Sequence, residues 1–490
     1  MTPPLAQPQR LHPFTLLLGP LRAIRGWLVP IVIALALRPD SLTTGTMLGG
    51  LIPLLAIGVA VTVVQAIQVL RVRWWVSDGA FQMRVGVLQL EARSVPVERI
   101  QNVDVVEPLL PRVLGLAEVK IETAGSSGGD LALRYVTLGD ANRLRETLVE
   151  LRPRAEAAAE PDTPSVLVET GLGELLIAGA TANRVGTIVL ILGVVWGWVV
   201  EAGVDPTDAL EDVGATVSGV DPAIAVLAGI TFALAVGWIA SIGATLLKYH
   251  GFRLTEQGAD LRRQHGLLSR SSGIIPLKRV QAVRIERPWL RRLVHRASIV
   301  ADSAGSVAAA TNTGAGVVAP IIHDRDVAQL IERVLSMPDP ASRSLYPVSR
   351  LAIRRGFVRA AVPIFVGGAA ALVFRPWWAL AAIPLLALAY LWATARFRAL
   401  GYRVDDDLVI ARSGILTRRQ WMVPASKVQS TVTRSTLFQR RLGLATLSID
   451  TAGPGTRKVT IIDLESGTAS AMAERMSSVS AESGLVSDGV

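Results

Sequence analysis

Three copies of one forty-residue stretch decide what this chain can fold into. Gly86–Gly125, GVLQLEARSVPVERIQNVDVVEPLLPRVLGLAEVKIETAG, recurs without a gap at Gly266–Gly305 and at Gly414–Gly453. Eight positions are identical in all three: Gly86/Gly266/Gly414, Leu88/Leu268/Leu416, Pro96/Pro276/Pro424, Gln101/Gln281/Gln429, Arg112/Arg292/Arg440, Ala117/Ala297/Ala445, Ala124/Ala304/Ala452 and Gly125/Gly305/Gly453. Unrelated segments of that length share about one such position, so one module has been repeated and any fold must be built three times.

Within the module the sequence reads as strand. In the first copy Phe81–Val85, Val87–Leu90, Val103–Val106, Glu118–Thr123 and Leu131–Val136 are short apolar or alternating runs, broken by Asp78-Gly79, Gly86 and Gly125-Ser-Ser-Gly-Gly. Asp140 then caps a helix that places Leu144, Leu148 and Leu151 on one face. Strands followed by a helix return over Lys248–Ile322 with Asp324–Val334, and over Arg396–Leu464 with Gly467–Met476.

Ahead of each module lies apolar sequence. Of 490 residues half are hydrophobic and 18% are charged, below the roughly 25% of soluble domains, which points to a membrane. The apolar runs come in pairs: Leu21–Leu37 with Met47–Leu70, Val185–Val200 with Ile224–Leu247, and Phe357–Phe374 with Trp378–Trp392. The first is clean only over Gly26–Leu37, short of the roughly 20 residues of a spanning helix. The expected fold is α-helical membrane hairpins plus β: six transmembrane helices in three hairpins, each followed by a small β module with a C-terminal helix. The expected order is an N-terminal segment and hairpin over 1–70, module 71–152, linker 153–168, hairpin 169–247, module 248–337, hairpin 338–395, module 396–480 and a tail, 481–490. The N-terminal residues show no signal-peptide pattern. The connection Glu201–Asp221 carries Glu201, Asp205, Asp208, Glu211, Asp212 and Asp221 and no Lys or Arg, whereas Arg22, Arg25, Arg71, Arg73, Lys248, Arg253, Arg350, Arg354, Arg355, Arg396 and Arg398 flank the opposite ends. The positive-inside rule then puts both termini and all three modules on the cytoplasmic side of the plasma membrane.

The three-fold unit of helical hairpin plus a module reading G-x9-P-x2-[RK]-[IV]-Q and ending in T/S-A-G resembles the bacterial pleckstrin-homology-like domain of the second type. The matching positions are Gly86, Pro96, Arg99 and Gln101, then Gly266, Pro276, Arg279 and Gln281, then Gly414, Pro424, Lys427 and Gln429. The order of parts is similar to the large multi-repeat membrane proteins of that family. The second copy departs from the pattern, with two extra residues between Phe252 and Gly266 and Val294-His295-Arg296 where the others read Leu-Gly-Leu. The resemblance implies a small seven-stranded β-sandwich or barrel capped by a helix and tethered to the membrane. It also implies a role in cell-envelope maintenance or resistance to membrane-active peptides.

Chemistry is sparse. There is no cysteine, and His12, His250, His265, His295 and His323 stand singly, so thiolate chemistry is excluded and no metal or other cofactor is expected. No phosphate-binding loop, nucleophile elbow or dinucleotide fingerprint is present, and Asp405-Asp406-Asp407 aligns with the turn Ser77-Asp78-Gly79. The expectation is a non-enzymatic scaffold that binds anionic lipid headgroups or a protein partner, with no nucleic-acid role. A transport or export component is the alternative, disfavoured because Val185–Val200, Ile224–Leu247 and Trp378–Trp392 hold no charged residue. Glycines 86, 266 and 414 read as hairpin turns, the three prolines as strand ends or bulges, and the three glutamines as structural. Candidate contacts are Arg99, Arg279 and Lys427, with Arg112, Arg292 and Arg440. The modules differ in charge: 71–124 is neutral, 248–300 carries +9 and 396–452 carries +6. In the two basic copies Trp289 precedes Arg291 and Arg292, and Phe438 precedes Arg440 and Arg441. That pattern reads either as an aromatic wedge with paired guanidiniums for lipid, or as core aromatics beside arginines that complete the inside-positive bias.

Overall fold

The computed structural model describes residues 7–15, 67, 70–86, 90–123, 131–151, 165–182, 222–303, 316–374, 376–451 and 459–487. The first module consists of β1 (Gln9–Arg10), β2 (Arg73–Ser77), β3 (Ala80–Val85), β4 (Glu91–Pro96), β5 (Ile100–Glu107), the short helix α1 (Leu109–Val113), β6 (Leu116–Thr123), β7 (Leu131–Thr137) and the closing helix α2 (Leu138–Glu150). The second has β8 (Ser165–Glu169), α3 (Leu172–Ala180), α4 (Pro222–Tyr249), β9 (Arg253–Gln257), β10 (Asp260–His265), β11 (Arg270–Pro276), β12 (Val280–Pro288), α5 (Trp289–Leu293), β13 (Arg296–Ser303), β14 (Val317–His323) and α6 (Asp324–Leu335). The third has α7 (Leu351–Phe374), a 3-10 helix Pro376–Ala381, α8 (Ala382–Ala399), β15 (Gly401–Val404), β16 (Leu408–Ser413), β17 (Thr417–Pro424), β18 (Val428–Arg434), α9 (Leu437–Arg441), β19 (Leu444–Thr451), β20 (Val459–Glu465) and α10 (Ser466–Ser487).

The repeated residues are repeated for local reasons. Gly266 and Gly414 have φ of +113° and +95°, and a Cβ at either would lie 2.0 Å from the backbone oxygen of Ser269 or Thr417, so only glycine fits the turn. Pro96, Pro276 and Pro424 end β4, β11 and β17, and each opens a single 3-10 turn: Val97–Arg99, Leu277–Arg279 and Ala425–Lys427. Proline has no N–H to give the ladder, so the strand stops there.

The structure corrects the expected fold class. Among the described residues the strands form four sheets and one helix, over Leu351–Leu372, is long and apolar enough to cross a membrane, in place of six helices in three hairpins. Where Trp378–Trp392 was expected to span, the chain first makes the 3-10 turn Pro376–Ala381. The 18 residues of α8 then end on Arg396 and Arg398, leaving too short an apolar length. In α4 the apolar stretch Leu234–Tyr249 is likewise short of a span. The expected spans Leu21–Leu37, Met47–Leu70 and Val185–Val200, the acidic connection Glu201–Asp221 and the linker core 153–164 lie outside the described residues, apart from Ile67 and Leu70.

The chain divides into two compact units: 1–162 with 182–252 and 264–274, and 163–181 with 253–263 and 275–490. In the first unit β1-β2-β3-β4 form one sheet, with Gln9 opposite Trp74 and Arg10 opposite Arg73. A second run, β7-β6-β5-β11, adds a strand of the second module to the edge of the first, Glu107 facing Arg270 and Val105 facing Ser272. Trp74 and Phe81 of one sheet pack with Val103, Val119, Ile121 and Leu133 of the other and with Leu144 and Leu148 of α2. The first module is thus a sandwich closed by its helix, as the i, i+4 leucines require.

In the second unit β8 pairs with β9, Ser165 facing Glu256 and Glu169 facing Arg253. The six-stranded sheet β14-β13-β12-β17-β16-β15 again joins two modules: β12 takes β17 on its edge, from Val283 opposite Met422 to Pro288 opposite Thr417. The three-stranded sheet β18-β19-β20 completes the third module. Its core sets Val409 and Val423 against Leu447, Ile449 and Ile461, under Ala469 and Met476 of α10. The stretch ahead of each module also supplies the strand before its first hairpin: β1, β8 and, in the third, Tyr346. Tyr346 exchanges both backbone hydrogen bonds with Tyr402, at 2.8 and 2.9 Å.

Candidate functional site

Helix α7 opens with an unusual charge. Arg350 precedes it, and Arg354, Arg355 and Arg359 lie in its first turns. Cations near a helix N-terminus oppose the macrodipole, so helix stability does not explain them. Arg355, Arg359 and Val362 recur at intervals of four and three and share a face.

That face meets α9. Thr436 caps α9 in a reciprocal capping box with Gln439. The Gln439 side chain is buried, and its Nε2 donates to Asp463 Oδ1 at 3.0 Å and to Thr446 Oγ1 at 2.9 Å. Asp463, itself buried and at φ +64°, also accepts from Arg355. One carboxylate therefore ties the start of α7 to the short helix of the third module. A buried charge held by two donors in this way fixes geometry more than it adds stability.

The tie leaves a cleft of about 640 Å³, lined by Arg354, Arg355, Val358, Arg359 and Val362 of α7 and by Thr436, Phe438, Arg441 and Leu442 around α9. Phe438 is 66% exposed. Arg355 is committed to Asp463, while Arg354, Arg359 and Arg441 are exposed and make no salt bridge among the described residues. Three guanidiniums thus surround an apolar wall. Chemically this is a receptor for an anion attached to an apolar body.

The other expected contacts fall elsewhere. Arg291 is buried, its Nε donating to Thr181 Oγ1 (3.2 Å), Nη1 to Pro320 O (3.0 Å) and Nη2 to Ala178 O (3.2 Å). It holds the C-terminal end of α3, where the helix dipole favours a cation. Trp289 beside it is 46% exposed. Arg112 donates to Leu267 O at 3.0 Å and Arg292 to Ile415 O at 2.8 Å, while Arg440 is exposed. Lys427 Nζ donates to Lys278 O at 3.0 Å, Arg279 is half-buried, and Arg99 is exposed at the end of its 3-10 turn. Gln281 is buried with Nε2 on Arg279 O (3.2 Å), and Gln429 is exposed. Of the expected contacts, Phe438 and Arg441 alone share the cleft. Arg354 and Arg355 are read from the sequence only for orientation, and Arg359 not as a contact; the i, i+4 spacing of Arg355 and Arg359 beside an apolar run was the available signal.

The aspartate triplet is taken up by arginines. Arg343 reaches Asp405 at 2.9 Å and Asp407 at 2.5 Å, Arg403 reaches Asp405 at 2.7 Å, and Arg475 reaches Asp406 at 2.7 Å. The hydrogen bond from Arg343 holds the Asp407 carboxyl below its ordinary value. Among the described residues no cluster of His, Cys, Asp and Glu is placed to hold a metal ion.

A family model described as "Bacterial PH domain" matches the chain three times, over residues 28–152, 209–338 and 353–479. The chain is 23% identical over 469 residues to the UPF0699 transmembrane protein YdbT of Bacillus subtilis (strain 168), covering 91% of this chain and 92% of that protein. No solved structure matches.

Proposed function

The chain belongs to the Bacterial PH domain family, and from that premise we propose that it is a non-enzymatic membrane protein whose third module holds an anionic lipid headgroup in the cleft between α7 and α9. Membrane placement is supported by the apolar stretch Leu351–Leu372 and by the transmembrane relative. The arginines at the start of α7 favour a cytoplasmic position for the module. The observation that carries the reading is that Arg354, Arg359 and Arg441, with Phe438, converge at the base of that apolar helix. There a phosphate would sit at headgroup depth and its acyl chains would run along Val358 and Val362.

The test uses full-length protein in detergent, titrated with short-chain phosphatidylglycerol or phosphatidylcholine. Phosphatidylglycerol should bind in preference and weaken with salt. Replacing Arg354, Arg359 and Arg441 together by Gln should cost on the order of a hundredfold, at about 1 kcal/mol per cation. Equal binding of both lipids, or a triple variant that binds as the parent does, would overturn the reading.

A further inference from the structure

The two junctions between modules are built alike. β5 faces β11 with Val106 opposite Ser271, and β12 faces β17 with Glu286 opposite Arg419. These are the same aligned positions, so the register is identical. Beside each junction the shared arginine of the short helix donates to a carbonyl just after the turn glycine of the next module: Arg112 to Leu267 O, Arg292 to Ile415 O. In the second junction Glu286 and Arg419 also form an ion pair at 3.3 Å.

Among the described residues each half of this junction is left over once. β4, aligned with β11 and β17, ends the first sheet, and β18, aligned with β5 and β12, ends the last. Their burial reports the missing neighbours. Residues 91–94 of β4 are exposed, as are Gln429, Ser430, Thr433 and Arg434 of β18, whereas their counterparts on β12, Gln281, Ala282, Ile285 and Glu286, are buried or half-buried. Arg440, the third of the shared arginines, makes no side-chain hydrogen bond among the described residues. At the aligned register Arg434 would face Glu91, Thr433 would face Ala92 and Val432 would face Arg93. The first pair restores the charge complementarity of Glu286 and Arg419 with its signs exchanged.

We propose that a second copy of this chain completes the series, its β4 adding antiparallel to β18 of the first with Glu91 opposite Arg434. The occupant is a copy of this chain because its own β4 carries the charge and register that β18 lacks, and because the same contact is made twice within the chain. Such a contact is head-to-tail: it leaves another β4 and another β18 open and propagates until a ring closes. It is independent of lipid binding, since neither strand lines the cleft.

The chain has no cysteine, which makes the test direct. Full-length Glu91→Cys and Arg434→Cys proteins, mixed in detergent and treated with a short bifunctional thiol reagent, should give a cross-linked species that neither gives alone. Glu91→Cys mixed with Glu474→Cys should give none. By light scattering, Glu91→Arg or Arg434→Glu alone should lower the associated fraction, and the two exchanges combined in one chain should restore it. A monomer at every concentration, association indifferent to these charges, or a chain bearing both cysteines that links only to itself would each overturn the proposal.

Discussion

The clearest residue-scale lesson is a glycine that the second module lacks. Gly115 and Gly443 sit at φ of +69° and +64°, and their counterpart His295 adopts +51°. In each module the carbonyl of this residue accepts the first N–H of the closing helix: Leu138 N to Gly115 O at 2.9 Å, Asp324 N to His295 O at 3.0 Å and Ser466 N to Gly443 O at 2.9 Å. The conformation is held by that bond, so histidine bears a left-handed strain of about 1–2 kcal/mol. His295→Gly is expected to stabilise the second module by up to about 1 kcal/mol, the relief being partly offset by the chain entropy that glycine adds to the unfolded state. A rise in the urea midpoint checks it, and an unchanged or lower midpoint contradicts it. The sequence displayed this departure plainly, because three copies gave two references. It did not display Asp463, whose counterpart in the first copy is Tyr135 at the same positive φ. No spacing connects Asp463 with Arg355, 108 residues away; only the fold, which brings β20 to the start of α7, does.

At the scale of elements, β3, β5, β6 and β7 were readable from alternation and turn residues, while β2, β4 and the strand neighbours were not. Backbone hydrogen bonds carry no side-chain signature, so nothing in Ile100–Glu107 or Arg270–Pro276 marks them as partners. The strands β1 and β8 were hidden for a related reason: each is separated from its partner by a long apolar stretch, β1 falling in the expected N-terminal segment 1–70 and β8 at the end of the expected linker 153–168. The shared arginine was legible as repeated, but its role follows from the junction. Arg292→Ala is expected to cost about 1–2 kcal/mol, the worth of a hydrogen bond from a charged donor, and Arg440→Ala close to nothing in the dilute chain. Denaturation followed by tryptophan fluorescence separates them, since Trp421 lies in the junction with Arg284 over its ring at 4.9 Å. Equal costs for the two substitutions contradict this assignment.

For the whole molecule, the tandem arrangement of modules was fixed by repetition, whereas the expected set of membrane helices was, among the described residues, an overreading of apolar composition: one helix there is long and apolar enough to cross. Apolar length is a weak measure when part of it winds into a 3-10 turn, as at Pro376–Ala381. A firmer guide is the reciprocal bond between Tyr346 and Tyr402. It clasps the two ends of the segment containing α7 and α8, so that segment is a round trip: if it enters a bilayer it must come back out on the face it entered. The number of complete crossings between Tyr346 and Tyr402 has even parity, whatever their depth. Single cysteines at Ser344 and Asp406 are therefore expected to respond alike to an impermeant thiol reagent in whole cells, and opposite responses would break the clasp. Such a loop cannot be pulled taut across the membrane like a single anchor. It can only enter and return as a loop, with both of its ends held on one face.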